Sequence, residues 1–153
     1  MRHWLMKTEP DDFSIDDLAR VKREPWSGVR NYQARNHLKA AAVGDQVLVY
    51  HSSCAVPAVA GVAEVVRAAY PDPTQFDRKS DYYDPKSPQD APRWVALDVK
   101  YKRKLERAIP LEELKQHAAA LGSFALLARG NRLSVLPVTQ SQFDTILALE
   151  RTA

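Results

Sequence analysis

Trp26 heads a short polar bend, Trp26-Ser27-Gly28-Val29-Arg30-Asn31, in which Gly28 allows backbone conformations that other residues resist. A Trp beside such a turn is suited to line a cavity, and an aromatic face stacks on a nucleobase with about 1–3 kcal/mol per base. The alternative is a plug, with Trp26 filling the core between a helix and a sheet. Residue type and position weigh the two equally. Lys7-Thr8-Glu9 close the short run His3 to Thr8, apolar at Trp4, Leu5 and Met6. Side chains at a strand end are free to meet a ligand. Thr8 offers a hydroxyl, and a Glu9 carboxylate accepts from a base edge or an exocyclic amine. An exposed ion pair between Lys7 and Glu9 is the simpler account of those two residues taken alone.

Tyr50-His51-Ser52-Ser53-Cys54 sets an imidazole beside hydroxyls and a thiol. Neighbours on a strand face opposite ways, and no G-x-S-x-G elbow is present, so this is not a nucleophile-and-base arrangement. His51 and Ser52 are expected to hydrogen-bond a ligand, or His51 to be structural. Between Tyr70 and Pro92 lie Asp72, Asp77, Asp81, Asp84 and Asp90. Together they offer oxygen ligands for Mg²⁺. Their spacing fits no calcium loop, however, and Arg78, Lys79 and Lys86 dilute the charge. The segment reads mainly as a structured surface loop whose Tyr70, Tyr82 and Tyr83 can close over a ligand. Lys100, Lys102, Arg103, Lys104 and Arg107, with Arg30 and Arg35 elsewhere, offer a phosphate-binding surface or, equally, a solvated strand face. There is no Walker loop, no G-x-G-x-x-G and no H-E-x-x-H, which weakens nucleotide-hydrolysing, dinucleotide-binding and zinc-protease functions.

These residues sit on a chain of 153 residues with 45% hydrophobic composition, the size of one domain with a real core. A net charge of +3 permits a nucleic-acid partner without demanding one. With Cys54 as the single cysteine, no intrachain disulfide forms. One Cys and four scattered His do not make a structural zinc site, and no cofactor is expected. The opening MRHWLMKTEP lacks the apolar run of a signal peptide, and no stretch approaches the ~20 apolar residues of a membrane span. A cytoplasmic protein is expected.

The elements that must position the candidates follow from periodicity and punctuation. His3 to Thr8 reads as a buried strand ended by Pro10. Ser14 caps a helix carrying Ile15, Leu18 and Val21, and Pro25 closes that region. A second helix spans Tyr32 to Ala42. Strands follow at Gln46 to His51 and Val56 to Ala69, and the clearest one at Trp94 to Leu105. There Val95, Leu97, Val99 and Tyr101 share one face and Lys100, Lys102 and Lys104 the other. Pro110 opens a third helix to about Leu121, with a helical turn at Ser123 to Ala128. Leu133 to Leu136 is a short strand, and Thr139 caps a final helix. The order is α+β, with a strongly bent sheet or small barrel and helices packed at its ends.

Taken together, WLMKTEP, WSGVRNYQARNHL, VGDQVLVYHSS, AYPDPTQFD, YYDPKS and RLSVLPVT closely resemble, in the same order, the EVE domain. The resemblance covers nearly the whole chain. It implies a PUA-like fold, a bent β-barrel flanked by helices, and kinship with the YTH domains, which hold N6-methyladenine in an aromatic cage. Other EVE-like proteins are associated with modified cytosines in DNA. Lys7-Thr8-Glu9 resembles the K-S-N start of the YTH readers, and Trp26-Ser27 resembles their first cage Trp and its following Ser. Glu9 stands where those readers have Asn. A carboxylate suits an amine edge such as cytosine N4. No Trp stands where the second cage wall belongs; Trp94 comes too early, leaving Tyr101 or Val99. The expected ligand-binding set is Lys7, Thr8, Glu9, Trp26, Ser27, Val29, Asn31, His51, Ser52 and Tyr70. Arg30, Arg35, Lys100, Lys102 and Lys104 are expected on the nucleic-acid backbone. The expected function is a non-catalytic module that recognises a modified nucleobase in DNA or RNA. The alternatives are a metal-dependent nuclease or hydrolase using the acidic loop and His51, or a free-nucleoside sensor.

Overall fold

The computed structural model describes residues 1–152. One six-stranded mixed sheet organises the chain in the order β2-β5-β4-β3-β1-β6. β1 (His3–Thr8) lies parallel to β3 (Gln46–His51) and antiparallel to β6 (Val135–Val138). β4 (Ala58–Pro71) joins β3 to the long β5 (Val95–Pro110), and β2 (Arg23–Trp26) forms the far edge beside β5.

The central strands are buried on both faces. Trp4, Met6, Val47, Val49, Leu97 and Val99 face one core. It is covered by Ile15 and Leu18 of α1 (Ile15–Val21) and by Ala34 and Leu38 of α2 (Tyr32–Ala40). Leu5, Leu48, Tyr50, Val59, Leu105 and Ile109 face a second core. There the cover is Leu114 of α3 (Leu111–Gln116), Leu121 of α4 (Ala118–Leu121) and Phe143, Ile146 and Leu149 of α5 (Gln140–Leu149). Two-sided burial is why β1 and β3 read as continuous apolar runs instead of alternating ones.

The architecture is α+β, but the expected barrel does not close. Its two edge strands each carry a proline, Pro25 in β2 and Pro137 in β6, and neither can donate the N–H that would extend a ladder. β2 itself is an addition to the elements expected, since Pro25 marks the end of a helix region in sequence and sits in an edge strand in space. β5 runs five residues beyond Leu105, and the third helix divides at His117 into α3 and α4.

α1 matters most for the site. The Ser14 hydroxyl accepts the Asp17 N–H while the Asp17 carboxylate accepts the Ser14 N–H, satisfying two orphan donors. The helix sits tightly on the sheet because β4 has Gly61 beneath it. A Cβ at Gly61 would overlap the Ile15 side chain and lie 2.8 Å from the Arg103 carbonyl oxygen.

Candidate nucleic-acid interface

The end of β1, the inward face of β2 and the bend after it surround a cleft of about 670 Å³. That is the size of an ordinary small-molecule pocket. Trp26 closes β2 opposite Leu97 of β5. Strand alternation puts Glu24 and Trp26 on the inward face and leaves Arg23 and Pro25 exposed. Trp26 is 8% exposed and belongs to the core, yet it also lines the cleft. Plug and wall are therefore one residue, with one part of the indole anchored in the core and another facing the cavity. Phe13 meets it edge-on, ring centroids 6.5 Å apart at 83°.

One side of the cleft is locked. Gly28, at φ +81°, donates its N–H to the fully buried carboxylate of Asp72 at 2.8 Å. Asp72 also accepts from the Thr74 N–H and hydroxyl and from the Arg30 guanidinium. Burial opposes ionisation of Asp72, but these donors outweigh it and hold its pKa below the ordinary value. Arg30 further donates to the Thr74 hydroxyl and to the Val29 and Tyr82 carbonyls. Its guanidinium lies 5.6 Å from the Tyr82 ring centroid and 5.4 Å from that of Trp94. The Tyr82 ring rests on Gly28, where a Cβ would come within 2.9 Å of it. Trp94 stacks on Tyr32 at 4.8 Å, and the Arg35 guanidinium lies 4.8 Å from the Tyr32 ring centroid. Arg30 is thus a clip between the bend and the 72–94 loop, not the free phosphate contact expected from sequence. Arg35 likewise spends its guanidinium on Tyr32, the Arg93 carbonyl and Asn36.

The opposite side is open. Lys7 and Glu24 line the cleft half-buried, and among the described residues neither side chain has a hydrogen-bond or ion-pair partner. Burial lowers the Lys7 ammonium pKa. Burial, and then the charge of Asp98, raises that of Glu24. Glu9 lines the rim, exposed, and makes no ion pair with Lys7. The Thr8 hydroxyl donates to the Phe13 carbonyl at 2.7 Å, and the Ser52 N–H donates to the Thr8 carbonyl at 3.0 Å, fixing two more lining residues. Ser27, Val29 and Asn31 complete the bend side. The Asn31 side chain also caps α2 by accepting the Ala34 N–H.

Two of the expected ligand-binding residues stand elsewhere. His51 does not line the cleft; its Nε2 accepts the Ile15 N–H at 3.1 Å and ties the start of α1 to β3. Tyr70 ends β4 pointing at Asp98, to which it donates its hydroxyl, and the Arg67 guanidinium lies 3.7 Å from its ring centroid. The basic strand is also largely engaged. Lys100 and Lys102 pair with Glu64, Lys104 with Asp16, Arg103 with Glu150 and Arg107 with Glu113. The three lysine pairs, with the lysine side chains well exposed, are of the kind that contributes about 0–1 kcal/mol, whereas Arg103 and Arg107 each hold their carboxylate through two hydrogen bonds. Among the described residues, no group of three or more His, Cys, Asp or Glu is arranged to hold a metal ion. Asp72, the best-placed carboxylate of the acidic loop, is fully accounted for by its structural partners.

Phe13, Glu24 and Tyr82 also line the cleft, Tyr82 being an aromatic lining residue where the sequence had left Tyr101 or Val99 for the second wall. Val99 lies in the core, the Tyr101 hydroxyl accepts the Lys104 N–H, and Trp94 is held in the stacked pile. Glu24 has a sequence signal only in retrospect. It stands two residues before Trp26, but Pro25 between them hides the strand.

The fold that carries this cleft, one six-stranded mixed sheet with helices on both faces, is shared with solved relatives. The chain matches the EVE domain over residues 2–149 and belongs to that family. Among its relatives is thymocyte nuclear protein 1 of Mus musculus, 45% identical over 98% of this chain and 74% of the relative. The Homo sapiens protein of the same name is 43% identical over 97% and 73%. A solved structure of a Pseudomonas putida protein is 50% identical with a TM-score of 0.94, covering 97% of this chain and 99% of the other. Human THYN1 protein in complex with 5-methylcytosine-containing DNA superposes with a TM-score of 0.96 at 42% identity, covering 100% and 99%. The relatives' names also overturn the cytoplasmic placement expected from sequence, since they denote nuclear proteins.

Proposed function

We propose that this chain is a non-catalytic module that binds DNA carrying a modified cytosine, 5-methylcytosine foremost, and holds that base in the cleft beside Trp26. The observation that carries it is the indole of Trp26 backing a cleft roomy enough for a base, in which Lys7 and Glu24 have no partners among the described residues. The human relative solved with 5-methylcytosine-containing DNA supports the same reading. Extruding a base costs a few kcal/mol, and stacking on an aromatic face returns about 1–3 of them. Burying one added methyl against Val29 or Phe13 contributes roughly 0.8 kcal/mol, so the preference for the methylated base should be about fourfold from that contact alone. Lys100, Lys102 and Lys104 serve the flanking phosphates by exchanging their surface carboxylates for the DNA backbone.

The test is a titration of matched oligonucleotides at physiological salt: methylated DNA, unmodified DNA and the corresponding RNA. Methylated DNA should bind most tightly, with an affinity that falls as salt rises. Equal affinity for all of them would contradict modified-base recognition, and tighter binding of the RNA would reassign the partner.

A further inference from the structure

Glu24 is a carboxyl group without a structural task. It lines the cleft half-buried, projects from the same face of β2 as Trp26, and accepts no hydrogen bond from the described residues. Every other carboxylate near the cleft wall that lies this deep, Asp72 and Asp98, is saturated with donors. Side chains two apart on a strand project the same way about 7 Å from each other. Glu24 therefore stands within reach of the edge of a base laid on the indole.

We propose that Glu24, and not the exposed Glu9, reads the hydrogen-bonding edge of the bound base, sharing one proton with its ring nitrogen. This rests on the modified-cytosine reading above. The class of ligand follows from the geometry of a carboxyl group. One oxygen accepts the exocyclic amine, N4–H of cytosine, and the other meets the adjacent ring nitrogen N3. N3 is itself an acceptor, so two lone pairs face each other unless a proton lies between them. Binding takes that proton from solvent, and no covalent bond forms or breaks. The Glu24 environment favours the protonated form, because burial and Asp98 both oppose its charge.

The other charged groups around Glu24 are placed as follows. On its own strand Arg23 is paired with Asp98 of β5, and Lys100 of β5, opposite Arg23, is paired with Glu64. Lys7 faces the cleft from β1, Glu9 and Asp12 from the loop before α1, and Arg30, engaged by Asp72, from the bend. None of these donates a hydrogen bond to Glu24.

The experiment measures the affinity for 5-methylcytosine DNA from about pH 8 to about pH 5.5 for wild type, Glu24→Gln and Glu24→Ala. Wild-type binding should tighten as pH falls, by up to about tenfold per unit, the signature of one proton taken up. Glu24→Gln presents an acceptor and a donor without titrating, so it should bind with a flat profile. Glu24→Ala should bind at least about tenfold more weakly than Glu24→Gln. His51 and the other titrating groups are common to all three proteins, so the difference between profiles isolates Glu24. Glu24→Gln is nearly isosteric and carries the test even if the alanine variant folds poorly. A flat wild-type profile, or alanine binding as well as glutamine, overturns the inference while leaving the base-binding function intact. Failure of wild type to prefer methylated DNA at any pH overturns both.

Discussion

The two sides of the cleft use charge in opposite ways. On the locked side Arg30 and Asp72 are joined to each other and to Gly28, Thr74 and Tyr82, with the donors and acceptors at that point spent within the protein. On the open side Lys7 and Glu24 are half-buried and, among the described residues, unpartnered. Partly buried charge without a partner is costly, and a fold tolerates it where a ligand supplies the missing groups. The first side is scaffold and the second is the reading surface, although both have the composition expected of a nucleic-acid site.

Removing Asp72 should break the scaffold most severely. Asp72→Ala strands the Gly28 N–H and the Arg30 guanidinium. Loss of one partner of a buried pair costs about 3–5 kcal/mol, and the part-exposed Arg30 favours the low end. Urea unfolding should show the loss, with DNA binding falling as the 72–94 loop loosens. An unchanged midpoint would erase the distinction between the two sides.

The matching change on the open side should behave in the opposite way. Lys7→Met removes an unpaired, half-buried ammonium, so stability should hold or rise by up to about 1 kcal/mol while DNA affinity falls. Loss of stability with unchanged affinity would make Lys7 a structural residue.

His51 sharpens the contrast from the scaffold's side. Its imidazole must stay neutral at Nε2 to accept the Ile15 N–H, and burial lowers its pKa below the usual 6.5. The unfolded chain therefore binds the proton first as pH falls. The His51 contribution to stability is complete above about pH 6.5 and is lost on acidification below it. Unfolding midpoints measured from about pH 7.5 to about pH 5 should decline, and His51→Gln should flatten part of that decline. This is the smallest of the effects, since the group is only partly buried.

How much of this was legible in the sequence depended on local signals. The first strand, the Ser14 cap, the Gln46–His51 strand and the Thr139 cap follow from apolar runs and capping residues, and the structure has them. The bend at Trp26 and the strand end at Lys7 also come together as expected, helped by the family resemblance of their motifs. What failed was long-range. β2 is four residues long and is held by pairing with β5, which no local pattern reveals. Hidden with it was Glu24. Tyr82 lines the cleft, as one of the three loop tyrosines able to close over a ligand, but which of the three does so depends on the Arg30–Asp72 clip and the Gly28 contact, which no local pattern reveals. His51 and Tyr70 carried the right chemistry, but strand direction aims them at Ile15 and Asp98.

The central claim is that a base is held against Trp26, and the most direct measurement is the affinity of Trp26→Leu for 5-methylcytosine DNA beside wild type. Leucine keeps apolar volume in the core and removes the stacking face. The account predicts a loss of about tenfold to a hundredfold, equivalent to about 1–3 kcal/mol of stacking, with the fold retained by circular dichroism. A folded Trp26→Leu protein that binds methylated DNA as tightly as wild type would contradict it.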